Sequence, residues 1–298
     1  MTAGPGAPWR LALERGRPPA PVVLVLGGFL TSPPLYRPFA RRLREHGAAD
    51  VVVARVWLMD WLLAAGRGLG PILTRSGRAL LEASRRSETA SGGAPVLVVG
   101  HSAGGMSARL LTSPEPFAGR RLNASSRMGA IVTLGTPHVV AAATGRRNRV
   151  GAHAAAFANR VVPGPWAAPR TGYLAVASRA VAGRQDGSAA ERRAWATYRE
   201  LAPGSGDDDG HLDAAALMGD GSPAGDGLIP LASALLPGAP SLVLDDALHG
   251  QQPGRDWYGS DRFLDRWWPL AMDAWTGALR ARLDRAPDGD FDGSADLG

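Results

Sequence analysis

Apolar residues in this chain gather into short runs of four or five, separated by longer stretches that carry apolar positions at helical spacing. Val22-Val23-Leu24-Val25-Leu26, Val51-Val52-Val53-Ala54, Val96-Leu97-Val98-Val99 and Ala130-Ile131-Val132-Thr133-Leu134 are apolar almost throughout. Runs of this kind read as strands buried on both faces. Between them, residues 36–46 put Tyr36, Phe39 and Leu43 on one helical face, with Gly47 placed to end the helix. Residues 71–86 and 103–111 read as further helices, and residues 57–65 are aromatic and aliphatic. Buried strands alternating with helices predict an α/β architecture, a mostly parallel sheet covered on both faces.

The regularity weakens after His138. Residues 151–160 suggest a helix, 173–177 a fifth strand, 190–201 another helix and 241–244 the last strand. Residues 261–285 carry Phe263, Trp267, Leu270, Trp275, Leu279 and Leu283 at helical spacing. That stripe reads as core, with Pro269 expected to kink or interrupt the helix. The whole chain, 1–298, reads as one domain. Insertions within 139–172 and 179–224 are expected to form a cap or lid over the active edge, and 287–298 a flexible tail.

Composition narrows the function classes. The content is 45% hydrophobic and 20% charged, ordinary for a soluble globular protein. There is no cysteine, which removes disulfides, thiol catalysis and zinc ribbons and suits a cytoplasmic location. All 33 basic residues are arginine, giving a net charge of +6. The short clusters Arg41-Arg42, Arg85-Arg86, Arg120-Arg121 and Arg146-Arg147 are scattered and read as solvated faces; nucleic-acid binding would want a basic patch interleaved with aromatics. No secretory leader and no transmembrane run is expected.

The chemistry centres on Gly100-His101-Ser102-Ala103-Gly104-Gly105, a Gly-x-Ser-x-Gly motif between a predicted strand and a predicted helix. That context lifts a serine Oγ above the sheet edge on a strained turn. A serine hydroxyl needs a base, and the base needs a group to fix its tautomer, in the order Ser, Asp or Glu, His. His249, five residues after the last predicted strand, suits the base; His46, His101, His138, His153 and His211 come too early or lie in the expected cap. Asp226, between two glycines, suits the acid, with Asp213, Asp220, Asp245 and Asp246 as rivals. Residues 207–209 read as a solvated acidic run. The developing oxyanion needs two backbone N–H groups, expected from Ala103 and from Phe29 in the loop Gly27-Gly28-Phe29-Leu30.

Four blocks together, Gly27 to Leu30, Gly100 to Gly105, Leu134-Gly135-Thr136-Pro137-His138 and Gly225-Asp226-Gly227-Leu228-Ile229-Pro230, with His249 after them, resemble the α/β-hydrolase superfamily and its bacterial and plant lipase- or esterase-like members. The likeness spans roughly residues 20–280. It implies ester hydrolysis through an acyl-enzyme and does not identify the acyl group; the expected substrate is an apolar or lipid ester, and no cofactor or metal is expected. Gly27 departs from the histidine that many lipases carry before the oxyanion glycine. A thioesterase or acyltransferase would use the same triad, and a silent binding protein could share the scaffold. Transient contact with a membrane surface is a further expectation from the arginine and tryptophan content. Asp288, Asp290, Asp292 and Gly293 mimic the start of a calcium loop but lack its closing glutamate, and the glycines of 66–70 lack the Walker lysine; neither implies a ligand.

Overall fold

The computed structural model describes residues 7–140, 149–201, 218–252 and 254–284. His211, Asp213, the 207–209 run, the calcium-like segment and the expected tail lie outside the described residues.

The chain begins with a short helix, α1 (Pro8–Glu14), before the first strand, β1 (Val22–Leu26). A 3-10 turn (Pro33–Tyr36) leads into α2 (Arg37–Glu45), with His46 as its last capped position and Gly47 beyond it at φ +100°. Then follow β2 (Asp50–Val53), α3 (Leu58–Arg67), α4 (Gly70–Ala90), β3 (Val96–His101), α5 (Ala103–Leu111) and β4 (Met128–Leu134). The second half supplies α6 (Arg149–Val161), β5 (Gly172–Ser178), β6 (Val181–Ala182), α7 (Ala189–Leu201), β7 (Ala224–Gly225), α8 (Leu231–Ala234), β8 (Ser241–Leu244) and α9 (Asp261–Leu283).

Six strands form one sheet in the order β2-β1-β3-β4-β5-β8, every neighbouring pair parallel. Alternation along each strand divides its apolar residues between two cores. Leu24, Val98 and Ile131 face α3, α4, α5 and α6, where Trp61, Leu80 and Ala158 are buried. Val25, Val99 and Val132 face α1, α2 and α9, where Trp9, Phe39, Trp267 and Trp275 are buried. Both faces are dry, which is why the strands read as unbroken apolar runs. The antiparallel pair β6 and β7 stands apart and packs with α7.

Two expectations for the last helix are corrected. Pro269 does not interrupt α9, which runs unbroken from Asp261 to Leu283. Proline deprives the Asp265 carbonyl of its helical donor, but Asp265 and Pro269 both lie on the exposed side, where water can serve that carbonyl. Eight buried side chains on the opposite side, Trp267, Trp268 and Trp275 among them, hold the helix to the sheet. Leu270 does not share their stripe and is 40% exposed. Among the described residues no helix is long and apolar enough to cross a membrane.

Candidate active site

The turn from β3 into α5 is where backbone sterics bear hardest on sequence. A Cβ on Gly100 would collide with the Gly105 Cα, and one on Gly104 with the Leu26 carbonyl oxygen, so β1, β3 and α5 meet backbone to backbone. Ser102 sits at φ +54°, ψ −126°, a conformation that costs a non-glycine residue about 1–3 kcal/mol and persists only when its surroundings fix it. They do: the Ser102 N–H donates to the Leu134 carbonyl at 2.9 Å, and its own carbonyl accepts from Thr136 Oγ1 at 2.9 Å and from the Gly105 N–H at 3.0 Å.

His249 and Asp226 converge on that serine from the loops beyond β8 and β7. His249 Nε2 lies 3.0 Å from Ser102 Oγ, and His249 Nδ1 lies 2.8 Å from Asp226 Oδ2. A carboxylate only accepts, so the imidazole carries its proton on Nδ1 and leaves Nε2 free to take one from the serine. Asp226 is 1% exposed, and its carboxylate has four donors. Oδ1 accepts from the N–H groups of Leu228 at 3.0 Å and Ile229 at 2.7 Å; Oδ2 accepts from His249 and from the Tyr258 hydroxyl at 2.9 Å. Burial, and then the Asp226 charge, push the Tyr258 phenol well above its ordinary pKa, which keeps it a donor. The backbone joins in, because the His249 N–H donates to the Asp226 carbonyl at 2.9 Å.

The two expected oxyanion donors flank the same elbow. Ala103 is the first residue of α5, and Phe29 follows Gly28, whose Cα faces Ser102: a Cβ there would stand 3.0 Å from the serine Cβ. Among the described residues neither N–H takes part in a hydrogen bond, so both are free to donate. The Phe29 ring is 57% exposed and meets Trp61 edge-on, centroids 5.5 Å apart.

The rival residues are accounted for elsewhere where described. Asp245 pairs with Arg179, Asp246 with Arg262 and Asp220 with Arg184, all at the surface. His46 bonds Asp265, His153 stacks on Phe117, and His138 is buried between Thr133 and Arg109. His101, set aside above as a base, nonetheless adjoins His249: the two rings are 4.9 Å apart and His101 Nε2 lies 2.7 Å from the His249 carbonyl oxygen. Five side chains brace the serine, His249 and Asp226 in ways the sequence reading did not foresee: Thr136, Tyr36 and His101, read there only as motif or helix positions, and Tyr258 and Tyr198, not singled out at all. The Tyr198 hydroxyl accepts the Gly227 N–H at 2.8 Å and so steadies, from α7, the turn that carries Asp226. A signal for the tyrosines did exist, since a tyrosine in a core stripe must bring its hydroxyl to a polar partner.

No family model matches the sequence, and no curated protein matches it. Among solved structures, the chain is similar to the Bacillus licheniformis lipase BlEst2 in its mature form, with 15% identity and a TM-score of 0.53 over 87% of this chain and 93% of that one. The propeptide form of the same lipase gives 15% identity and a TM-score of 0.54 over 86% of this chain; the match spans half of that longer chain. At such identity the likeness establishes the fold, which is that of the α/β-hydrolases.

Proposed function

We propose that this protein is a serine carboxylester hydrolase that cleaves an apolar or lipid ester through an acyl-enzyme. The observation that carries the reading is the unbroken series Ser102 Oγ, His249, Asp226, at 3.0 and 2.8 Å, on a strained strand-to-helix turn. In the first half-reaction Ser102 Oγ attacks the acyl carbonyl as His249 Nε2 takes its proton. Asp226 holds the imidazole in its Nδ1–H tautomer and stabilises the imidazolium. The Phe29 and Ala103 N–H groups receive the oxyanion. His249 then gives its proton to the departing alkoxide, and in the second half-reaction it activates the water that releases the acid. The chain's own residues suffice for every step, without a cofactor.

An apolar substrate is supported by the surface beside Phe29. Leu30, Leu58, Met59, Leu62 and Leu63 are each between 42% and 61% exposed, around a turn joined by the Leu58 N–H to Ser32 Oγ at 3.3 Å. Arg37 and Arg55 stand exposed in the same segments, while Asp60 is buried and paired with Arg75. A patch of this kind suits transient contact with a lipid surface. Of the two segments expected to cap the active edge, 139–172 lends α6 to one face of the sheet, and 179–224 reaches the acid's turn through Tyr198; the second is the better candidate for a cap. A cytoplasmic setting suits a chain without cysteine.

The test is hydrolysis of p-nitrophenyl esters of increasing acyl length by wild type, Ser102→Ala and His249→Ala. Activity in wild type and a loss of about 10⁴-fold or more in both variants is expected. Labelling of wild type by a fluorophosphonate with no turnover of any oxygen ester would move a thioesterase or acyltransferase ahead. Neither turnover nor labelling would leave a silent scaffold.

A further inference from the structure

We infer that Tyr36 and His101 are a positioning pair that ties the oxyanion loop to the base, through one hydrogen-bond series running from the Gly28 N–H to the carbonyl of His249. The inference rests on the serine-hydrolase reading above. Its links are short, the first two buried and the third partly so: Gly28 N–H to Tyr36 Oη at 2.8 Å, Tyr36 Oη to His101 Nδ1 at 2.8 Å, and His101 Nε2 to the His249 carbonyl oxygen at 2.7 Å.

The chemistry at the two ends fixes every proton between them. An amide N–H can only donate, so the Tyr36 oxygen accepts from Gly28. A carbonyl can only accept, so His101 Nε2 carries a proton. His101 is buried, and burial, followed by the charge that His249 can carry, lowers its pKa to about 3. The ring is therefore neutral, Nδ1 is bare, and Tyr36 donates to it. Trp257 seals the series, packing edge-on against His101 at 5.2 Å and against Tyr36 at 6.3 Å.

Two consequences bear on catalysis. Gly28 spends its N–H on Tyr36, and its carbonyl accepts from Thr31 through the N–H at 3.3 Å and Oγ1 at 2.7 Å. The loop is thereby held with the next amide, that of Phe29, unengaged. At the other end the His249 peptide is gripped on both sides, by Asp226 through its N–H and by His101 through its carbonyl, so the base can move only about its side-chain torsions. His101 precedes the nucleophile in the chain, and thus one ring sets the spacing of nucleophile, base and oxyanion donor. Its neutrality matters too: the His101 and His249 rings are 4.9 Å apart, and a charged His101 would oppose the imidazolium that forms during acyl transfer.

The test compares Tyr36→Phe, which keeps the ring and removes the hydroxyl, with His101→Leu and with His101→Gln, which retains a donor near Nε2. Steady-state kinetics on a p-nitrophenyl ester, the rate of fluorophosphonate labelling, thermal midpoints and ¹⁵N NMR of the imidazoles are measured on each. Tyr36→Phe and His101→Leu are expected to lower kcat and the labelling rate about tenfold or more, with KM within about twofold of wild type, and His101→Gln to recover most of the loss. The wild-type spectrum should show His101 as the neutral Nε2–H tautomer, with Nδ1 shifted in Tyr36→Phe. A kcat within about twofold of wild type in the folded variants, or an Nδ1–H tautomer for His101, would overturn the inference. Should His101→Leu fail to fold, Tyr36→Phe decides it alone. Should wild type neither hydrolyse nor label, the hydrolase reading fails, and the tautomer still decides whether the series exists.

Discussion

Asp226, 1% exposed, and Phe29, 57% exposed, adjoin the same serine elbow in opposite surroundings. Around the acid, four donors converge on one carboxylate and two tyrosines reach in from α7 and from the segment before α9. Beside Phe29, apolar side chains such as Leu30, Leu58 and Met59 are turned to solvent, and the loop is pinned through the backbone of Gly28. On the hydrolase reading proposed above, the difference matches two jobs that a nucleophilic serine site must do. The charge of the acid has to be held in one place at all times, because a buried carboxylate tolerates no vacant lone pair. The oxyanion donors have to stay vacant until substrate arrives, and an apolar rim beside them admits a greasy acyl chain without competing for them.

Breaking the acid side should do the most damage. Asp226→Asn keeps the shape but puts an NH2 where a donor already stands, and it no longer enforces the Nδ1–H tautomer of His249. A fall in kcat of about 10³–10⁴-fold is expected in steady-state assays, with a loss of stability of about 1–3 kcal/mol from the mismatched donors in urea denaturation. A variant retaining a tenth of wild-type kcat would mean that another group orients the base.

Next in size is the response to acid. His101 is held neutral down to about pH 3, and His138, buried and beside the Arg109 charge, is likewise lowered. Below about pH 6.5 the unfolded chain takes up a proton at each site that the folded chain refuses. Folded stability should therefore fall as pH drops through that window, by about 1.4 kcal/mol per pH unit for each histidine, until the folded pKa is reached. His46 works in the opposite sense, since burial, which lowers its pKa, is outweighed by its bonds to Asp265 and the Arg42 carbonyl. In urea titrations between pH 7 and 4, His101→Gln should lose one histidine's share of the slope; an unchanged slope would mean that His101 is protonated in the fold.

Much of this was legible in the sequence. The sheet was readable because β1, β3 and β4 are buried on both faces, so their apolar runs have no polar interruptions to confuse with a helix. The elbow was readable because only glycine fits at Gly100 and Gly104. What escaped was α3, whose exposed positions Leu58, Met59 and Leu62 are themselves apolar beside buried Trp61, so that the segment reads as aromatic and aliphatic without declaring which element it forms. The support around the triad escaped for another reason: Tyr36 and Tyr258 occupy ordinary core positions, and only the third dimension brings their hydroxyls to His101 and Asp226.

Those hydroxyls give a smaller test. Tyr258→Phe removes one of four donors from the carboxylate and leaves the other three. A loss of about 1.5–3 kcal/mol in urea denaturation is expected, because the bond is to a charged acceptor. The fall in kcat should be well short of that in Asp226→Asn. Equal damage would mean that Tyr258, not the acid alone, fixes the imidazole.

The exposed side should yield the smallest change in stability and the most selective change in activity. Met59 and Leu62 are 61% and 52% exposed, so replacing both with serine removes little buried apolar area. Thermal unfolding should shift by the equivalent of about 0.5 kcal/mol or less. Hydrolysis of a short, dissolved ester should be unchanged, because neither side chain belongs to the triad or to its supports. Hydrolysis of a long-chain ester presented on vesicles should fall, together with co-sedimentation on those vesicles, if the patch meets the lipid surface. A double variant that loses long-chain turnover in detergent-dissolved substrate as well would place the patch in the acyl pocket instead. Unchanged activity on every substrate would mean that Met59 and Leu62 meet neither lipid nor acyl chain, and any apolar contact of this side with the reaction would fall to Phe29 and its neighbours Leu30, Leu58 and Leu63.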